Sequence, residues 1–433
     1  MRPLARFIPF LLLAGPLAGQ SPAPVTLTLP GAIAMGRQRG VAGALARLNE
    51  RIADSRVGQR RADLLPSISL GAGATRQTVN IDEFGIPFAK GVTDPFTVWR
   101  FQVRASETLY DASTISRYRA ARDSALASGA DARAVGELVA ASAGLAYLRV
   151  LSASETVRAR EADSVVAASL LDQARQLVSA GVSAAIDGTR SEVQLASVLT
   201  QLEVARNQHD RALLDLARTL DLAPETPLIL ADSLVAGDAS IPGSPEGAVA
   251  FALEHRAELE AERSRTRGIE RSLKAIGYEY LPSLSLAGGY TQSGASLNTL
   301  AGSYNIGIQL SLPLLDGFRR PARQQEQAAR LEAQQLRQHD LERQVATDTR
   351  QALLDLSSAD HQVQLATDRL RLAERELSQA RDRFAAGVAG TVETTSAQGG
   401  LIAARDGLIQ AHVNAAVSRI LTLKALGILE QLK

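Results

Sequence analysis

The sequence predicts a mainly α-helical fold with membrane β-strands and an internal duplication. Long seven-residue repeats, four runs of about ten alternating residues, and motifs that occur twice in one order carry that expectation. Composition agrees with it. The 433 residues are 45% hydrophobic but only 4% aromatic, so their contacts must be built from small aliphatic side chains along helices. With 47 Lys+Arg against 46 Asp+Glu the formal net charge is +1, which gives no overall field to attract phosphate, and nucleic acid is not an expected partner. The absence of cysteine excludes a disulfide scaffold, a Cys-ligated metal and an N-terminal lipid anchor on a thiol.

The chain opens with Arg2 and Arg6, an apolar run from Phe7 to Leu13 and then small residues, the order of a secretory signal peptide over 1–23. That run is far short of the roughly 20 residues of a membrane-spanning helix, so the protein is expected to be exported. Two repeats follow, at 24–223 and 246–433, joined by a linker at 224–245 rich in proline and without helical period. Leu65-Pro-Ser-Ile-Ser-Leu70 recurs as Leu281-Pro-Ser-Leu-Ser-Leu286, Leu109-Tyr-Asp111 as Leu314-Leu-Asp316, and Ser179-Ala-Gly-Val182 as Ala385-Ala-Gly-Val388. Each repeat should run helix, two strands, a very long helix, a turn, and a second long helix.

The strands are read from alternation. Trp99, Phe101 and Val103 fall on one face while Arg100, Gln102 and Arg104 fall on the other. Likewise Tyr304, Ile306 and Ile308 oppose Asn305, Gly307 and Gln309. The runs match a tilted strand crossing a bilayer, with lipid on the apolar face and water on the polar one. A small sheet covering a soluble core would show the same alternation. The helices carry a heptad: Leu356, Val363, Leu370, Leu377 and Phe384 form a large seam, and Ala359, Ala366, Ala373, Ala380 and Gly387 a small one. The first repeat has the same seams through Val150, Val157, Leu171 and Val178, interrupted at Arg160 and Ser164. Helices over 112–178 and 317–385 would each be about 100 Å long at 1.5 Å per residue, deeper than a compact domain. A symmetric oligomer closes four strands per chain into an edgeless barrel and the helices into a tube, and its polar lining makes a water-filled conduit.

These motifs, with the hairpin Phe384-Ala-Ala-Gly-Val-Ala-Gly-Thr-Val-Glu393 and the closing Ala425-Leu-Gly-Ile-Leu429, resemble those of TolC-like outer membrane efflux proteins over nearly the whole mature chain. The resemblance implies a homotrimer with a twelve-stranded outer membrane β-barrel continued by a long periplasmic α-helical barrel. It also implies a passive exit duct of a tripartite efflux or type I secretion system, partnered by a periplasmic adaptor (membrane fusion) protein and an inner membrane pump of RND or ABC type. Arg100, Gln102, Arg104 and Gln309 would then face the lumen; Trp99, Phe101, Val103, Tyr304, Ile306 and Ile308 would face outer membrane lipid. Asp187, Glu393 and Phe384 fall on family positions of the periplasmic gate, and Gly181, Val182, Gly387 and Val388 on the hairpin tips where the adaptor docks. The chain departs from the family at Phe384, where tyrosine is usual, at Ala389, where arginine is usual, and at Ser396, where a second aspartate is usual. Asp187 and Glu393 equally suit acids that favour a helix start.

Catalytic signatures are missing. His209, His255, His339, His361 and His412 have no i,i+4 partner, and Gly71-Ala-Gly73 lacks a dinucleotide setting, so neither an enzyme nor a cofactor or metal is expected. The rival class is a structural periplasmic coiled-coil or adaptor protein without a channel.

Overall fold

The computed structural model describes residues 24–85, 90–232 and 244–429. The expected signal peptide, residues 1–23, and residues 233–243 of the expected linker lie outside the described residues. In chain order the first part contains β1 (Val25–Leu27), α1 (Leu29–Arg39), α2 (Val41–Ala62), β2 (Ser67–Gln77), a 3-10 turn (Ile81–Phe84), β3 (Phe96–Tyr110), α3 (Ala112–Ser179) and α4 (Ala185–Thr219). The second part contains β4 (Leu228–Leu230), α5 (Pro245–His255), α6 (Ala257–Tyr278), β5 (Ser283–Gly294), β6 (Ala301–Ser311), α7 (Arg319–Ala385) and α8 (Thr391–Leu426). The order helix, strand, strand, long helix, helix thus occurs twice, as α2-β2-β3-α3-α4 and α6-β5-β6-α7-α8.

Two of the repeated motifs are helix boundaries. At the start of α3 the Asp111 carboxylate accepts from the backbone N–H of Ser113 at 2.8 Å and of Thr114 at 3.3 Å. At the start of α7 the Asp316 carboxylate accepts from the backbone N–H of Arg320 at 2.9 Å. Each acid satisfies amides that have no partner within the helix, which is the reason for an aspartate where a strand hands over to a helix. The long helices end alike. Gly181 and Gly387 take φ of 73° and 69°, the left-handed region that favours glycine. Val182 N–H reaches back to Leu177 C=O at 2.9 Å and Val388 N–H to Arg383 C=O at 3.0 Å, the six-to-one bond of a Schellman cap. The closing motif repeats the device, with Gly427 at φ 74° and Ile428 N–H bonded to Leu423 C=O at 3.0 Å.

Cα packing divides the chain into two compact units. One comprises Met1–Ala32, Ala143–Val235 and Ala366–Val413. Its core is the heptad seam: Ala373, Leu377 and Ala380 of α7 pack with Ala397, Leu401 and Ala404 of α8, joined by Val166 of α3. β1 and β4 pair in parallel in this unit, and the Tyr147 hydroxyl donates to Leu27 C=O at 3.1 Å and to Asp232 at 3.0 Å. β4 lies within the span expected as linker, because three residues are too few to display a period.

The other unit comprises Ile33–Ser142, Ala236–Leu365 and Asn414–Lys433. It holds a four-stranded antiparallel sheet of order β2-β3-β5-β6, with a bulge between Thr108 and Tyr110. Among the described residues the first and last strands each keep one free edge. The register runs Gly73↔Arg100 and Ser69↔Arg104 between β2 and β3, Arg100↔Ser293 between β3 and β5, and Tyr290↔Tyr304 between β5 and β6. Ion pairs such as Arg271 with Asp123 at 3.0 Å fasten α6 to α3.

Candidate functional site

Directly paired residues of an antiparallel ladder share a face, so the register sorts the whole sheet into two. Arg100, Gln102 and Arg104 share one face with Gly71 and Gly73 of β2, with Thr291 and Ser293 of β5, and through them with Ser303, Asn305 and Gln309 of β6. Trp99, Phe101 and Val103 share the opposite face with Tyr290, Tyr304, Ile306 and Ile308. The register therefore gives the sheet one mainly polar and one mainly apolar face. The apolar face is uncovered within the chain: Tyr304 is 83% exposed, Ile306 75% and Ile308 68%. An isolated chain in water would carry a contiguous strip of Ile, Leu, Tyr and Val there, which marks a surface meant for another medium or another molecule.

In the other unit the two turns that end α3 and α7 adjoin, since a Cβ on Gly387 would lie 3.4 Å from Val182 Cγ1. Gly181, Val182, Gly387 and Val388 are all exposed. Asp187 and Glu393 each fall in the first turn of the following helix, where a negative charge is favoured by the helix dipole. Both have partners in the same chain. The buried Asp187 accepts from Thr391 Oγ1 at 2.5 Å, and Arg190 lies 3.8 Å away. Glu393 pairs with Arg383 Nε at 2.9 Å beside a cavity of about 620 Å³ lined by α7 and α8. Phe384 is fully buried, an aromatic closing the large seam. The sequence does not reveal Thr391, Arg190 or Arg383 as partners, because hydroxyl and guanidinium groups at helix ends carry no periodic signal.

The break in the heptad at Arg160 is a buried ion cluster. Arg160 donates to Asp163 at 2.9 Å and forks onto Asp406 of α8 at 2.6 and 2.5 Å, while Arg405 of α8 pairs with Asp163. Burial pulls the Arg160 guanidinium toward the neutral form, yet the two carboxylates outweigh it and hold its pKa above the ordinary value. Among the described residues no group of three or more His, Asp or Glu is placed to hold a metal ion.

A two-faced sheet exposed on both sides among the described residues, on a chain with helices 68 and 67 residues long, defines a class: β-sheet proteins with a long helical extension. The outer membrane efflux protein family model matches residues 41–221 and 249–427, so the chain belongs to that family. It is 26% identical to protein CyaE of Bordetella pertussis over 377 residues, covering 85% of this chain and 76% of that protein. Its identity to the pyoverdine export outer membrane protein OpmQ of Pseudomonas aeruginosa is 25% over 376 residues, covering 84% of this chain and 78% of that one. The fold is that of the outer membrane protein VceC from Vibrio cholerae, with a TM-score of 0.80 at 17% identity over 92% of this chain and 96% of that one.

Proposed function

We propose that the protein is the passive exit duct of a tripartite efflux or type I secretion system, seated in the outer membrane and extending into the periplasm. Three copies close their sheets, β6 of one against β2 of the next, into a twelve-stranded barrel, and their long helices form the tunnel. The observation that carries this reading is the sheet: an apolar face and a polar face, both uncovered, between two unpaired edges. Lipid satisfies the first face, water the second, and copies of the same chain the edges. The helix-strand-strand-helix-helix order and the family model's two matched stretches support repeats at 24–223 and 246–433 derived by duplication, with 224–245 as their joint.

In this assembly Arg100, Gln102, Arg104 and Gln309 line the lumen, and Trp99, Phe101, Val103, Tyr304, Ile306 and Ile308 meet lipid. Gly181, Val182, Gly387 and Val388 form the tips that receive the periplasmic adaptor, beyond which an RND or ABC pump supplies the energy. Asp187, Glu393 and Phe384 form the narrow end, where closure rests on the Asp187–Thr391 and Arg383–Glu393 links and on the packing of Phe384. The duct itself catalyses nothing.

The cysteine-free sequence makes the test clean. Single cysteines placed along β2 and β6 should cross-link into a three-chain ladder in isolated outer membranes, and the detergent-purified protein should conduct in a planar bilayer. A protein that is soluble without detergent, forms no such ladder and does not conduct would instead be a periplasmic coiled-coil or adaptor protein.

A further inference from the structure

The polar face of the sheet carries charge of one sign only. Arg100 and Arg104 stand on it, and no Asp or Glu stands on that face of any of the four strands; the single strand acid, Glu107, pairs with Leu286 on the opposite face. Arg76, the remaining strand cation, also lies on the apolar side, opposite Thr97. The neighbours of the two arginines are small: Gly73 and Ser293 flank Arg100, and Ser69 and Gly289 flank Arg104. Both side chains are exposed. Arg100 has no ion pair or side-chain hydrogen bond among the described residues, and the guanidinium of Arg104 meets only the amide oxygen of Gln102, at 3.4 Å. The acids at the turns differ, because Asp187 and Glu393 are each matched by an arginine of the same chain.

We propose that Arg100 and Arg104 make the barrel selective for anionic solutes, so that the cargo leaving through this duct is negatively charged. The inference rests on the trimeric barrel proposed above. Three copies place the arginines in two rings, about 13 Å apart along the strand at roughly 3.3 Å per residue. Rings of arginine with no acid beside them raise the potential of the water they enclose, as in anion-conducting pores. A lumen potential of only about one kT already gives an anion-to-cation ratio of roughly seven, and salt weakens it within a Debye length of about 10 Å at 0.1 M.

The test is the reversal potential of the purified full-length protein in a planar bilayer under a KCl gradient at low ionic strength. Wild type should favour chloride. The Arg100→Gln/Arg104→Gln protein should shift its reversal potential toward the cation side by a several-fold fall in the chloride-to-potassium permeability ratio. Arg100→Lys/Arg104→Lys should keep the wild-type preference, and Arg76→Gln, on the other face, should change nothing. Channels whose selectivity is the same in wild type and in the glutamine variant overturn the arginine rings while leaving the duct intact, as does a lysine variant that behaves like the glutamine one. A wild-type protein that forms no channel removes the duct and the rings together.

Discussion

The ion cluster at the heptad break yields a graded prediction. Asp163 is 1% exposed and serves two guanidiniums, Arg160 and Arg405, whereas Asp406 is 43% exposed and serves Arg160. Asp163→Asn keeps the shape but leaves two cations to share one half-exposed anion, with Arg160 itself only 9% exposed. Removing one partner from a buried pair costs about 3–5 kcal/mol, and the lower end applies because Arg160 keeps Asp406 and Arg405 reaches water. Arg160→Met, by contrast, returns an aliphatic side chain to the seam, leaves Asp163 paired with Arg405, and lets Asp406 hydrate; its cost should be about 1–2 kcal/mol. Amide hydrogen exchange on the detergent-purified protein reads this locally. About 3 kcal/mol should speed exchange over residues 160–166 and 398–406 roughly a hundredfold in Asp163→Asn, and about tenfold in Arg160→Met. Because the two residues share one network, the double variant should cost less than the sum. Exchange in Asp163→Asn within about threefold of wild type, or a larger effect from Arg160→Met, would refute the reasoning.

Thr391→Val removes the hydroxyl that serves the buried Asp187; a loss of about 1–3 kcal/mol should raise exchange in the first turns of α4 and α8, and Thr391→Ser should restore protection. Phe318 holds φ at 64°, so Phe318→Gly should relieve about 1–2 kcal/mol of backbone strain, more than the roughly 0.5–1 kcal/mol of chain entropy that glycine costs, and raise the melting temperature. Burial raises the pKa of Glu137 above its ordinary 4.5; Arg37 and the backbone N–H of Leu429 oppose the shift and Glu258 adds to it. The folded chain then holds a proton that the unfolded chain has released, so this group's contribution falls as pH rises from that ordinary value through the folded one. Glu137→Gln should accordingly gain melting temperature on wild type as the pH rises above the ordinary carboxyl value of 4.5, and a difference independent of pH would count against the buried carboxyl.

How much of this was legible depended on whether a residue's environment repeats along the chain. The strands could be read because apolar and polar side chains alternate along them, and the register keeps Trp99, Phe101 and Val103 on one face with Tyr304, Ile306 and Ile308. The seams of α7 could be read for the same reason, at period seven. The β1–β4 pair could not, since its three-residue strands are joined across some two hundred residues. Neither could the Thr391–Asp187 link, whose partners sit 204 positions apart. The repeated aspartates at 111 and 316 lie between these cases: their recurrence was visible, but that they cap α3 and α7 required the amides to be in place.

The interruption at Arg160 and Ser164 is the most instructive residue pattern of the chain. A coiled-coil seam that loses its apolar residue loses stability unless something specific replaces it, and here α8 supplies Arg405 and Asp406 opposite Arg160 and Asp163. Two cations and two anions match in only one alignment of α3 against α8; sliding α8 by a heptad would set the buried Arg160 guanidinium against Gly399 or Val413 in place of Asp406. The regular seam of Ala373, Leu377 and Ala380 against Ala397, Leu401 and Ala404 discriminates less, because along α7 a shift by one period puts Ala380 or Gly387 for a small residue and Leu370 or Phe384 for Leu377. The heptad therefore supplies adhesion, and its break supplies register, in a unit whose hairpin ends must keep Asp187 and Thr391 within hydrogen-bonding distance.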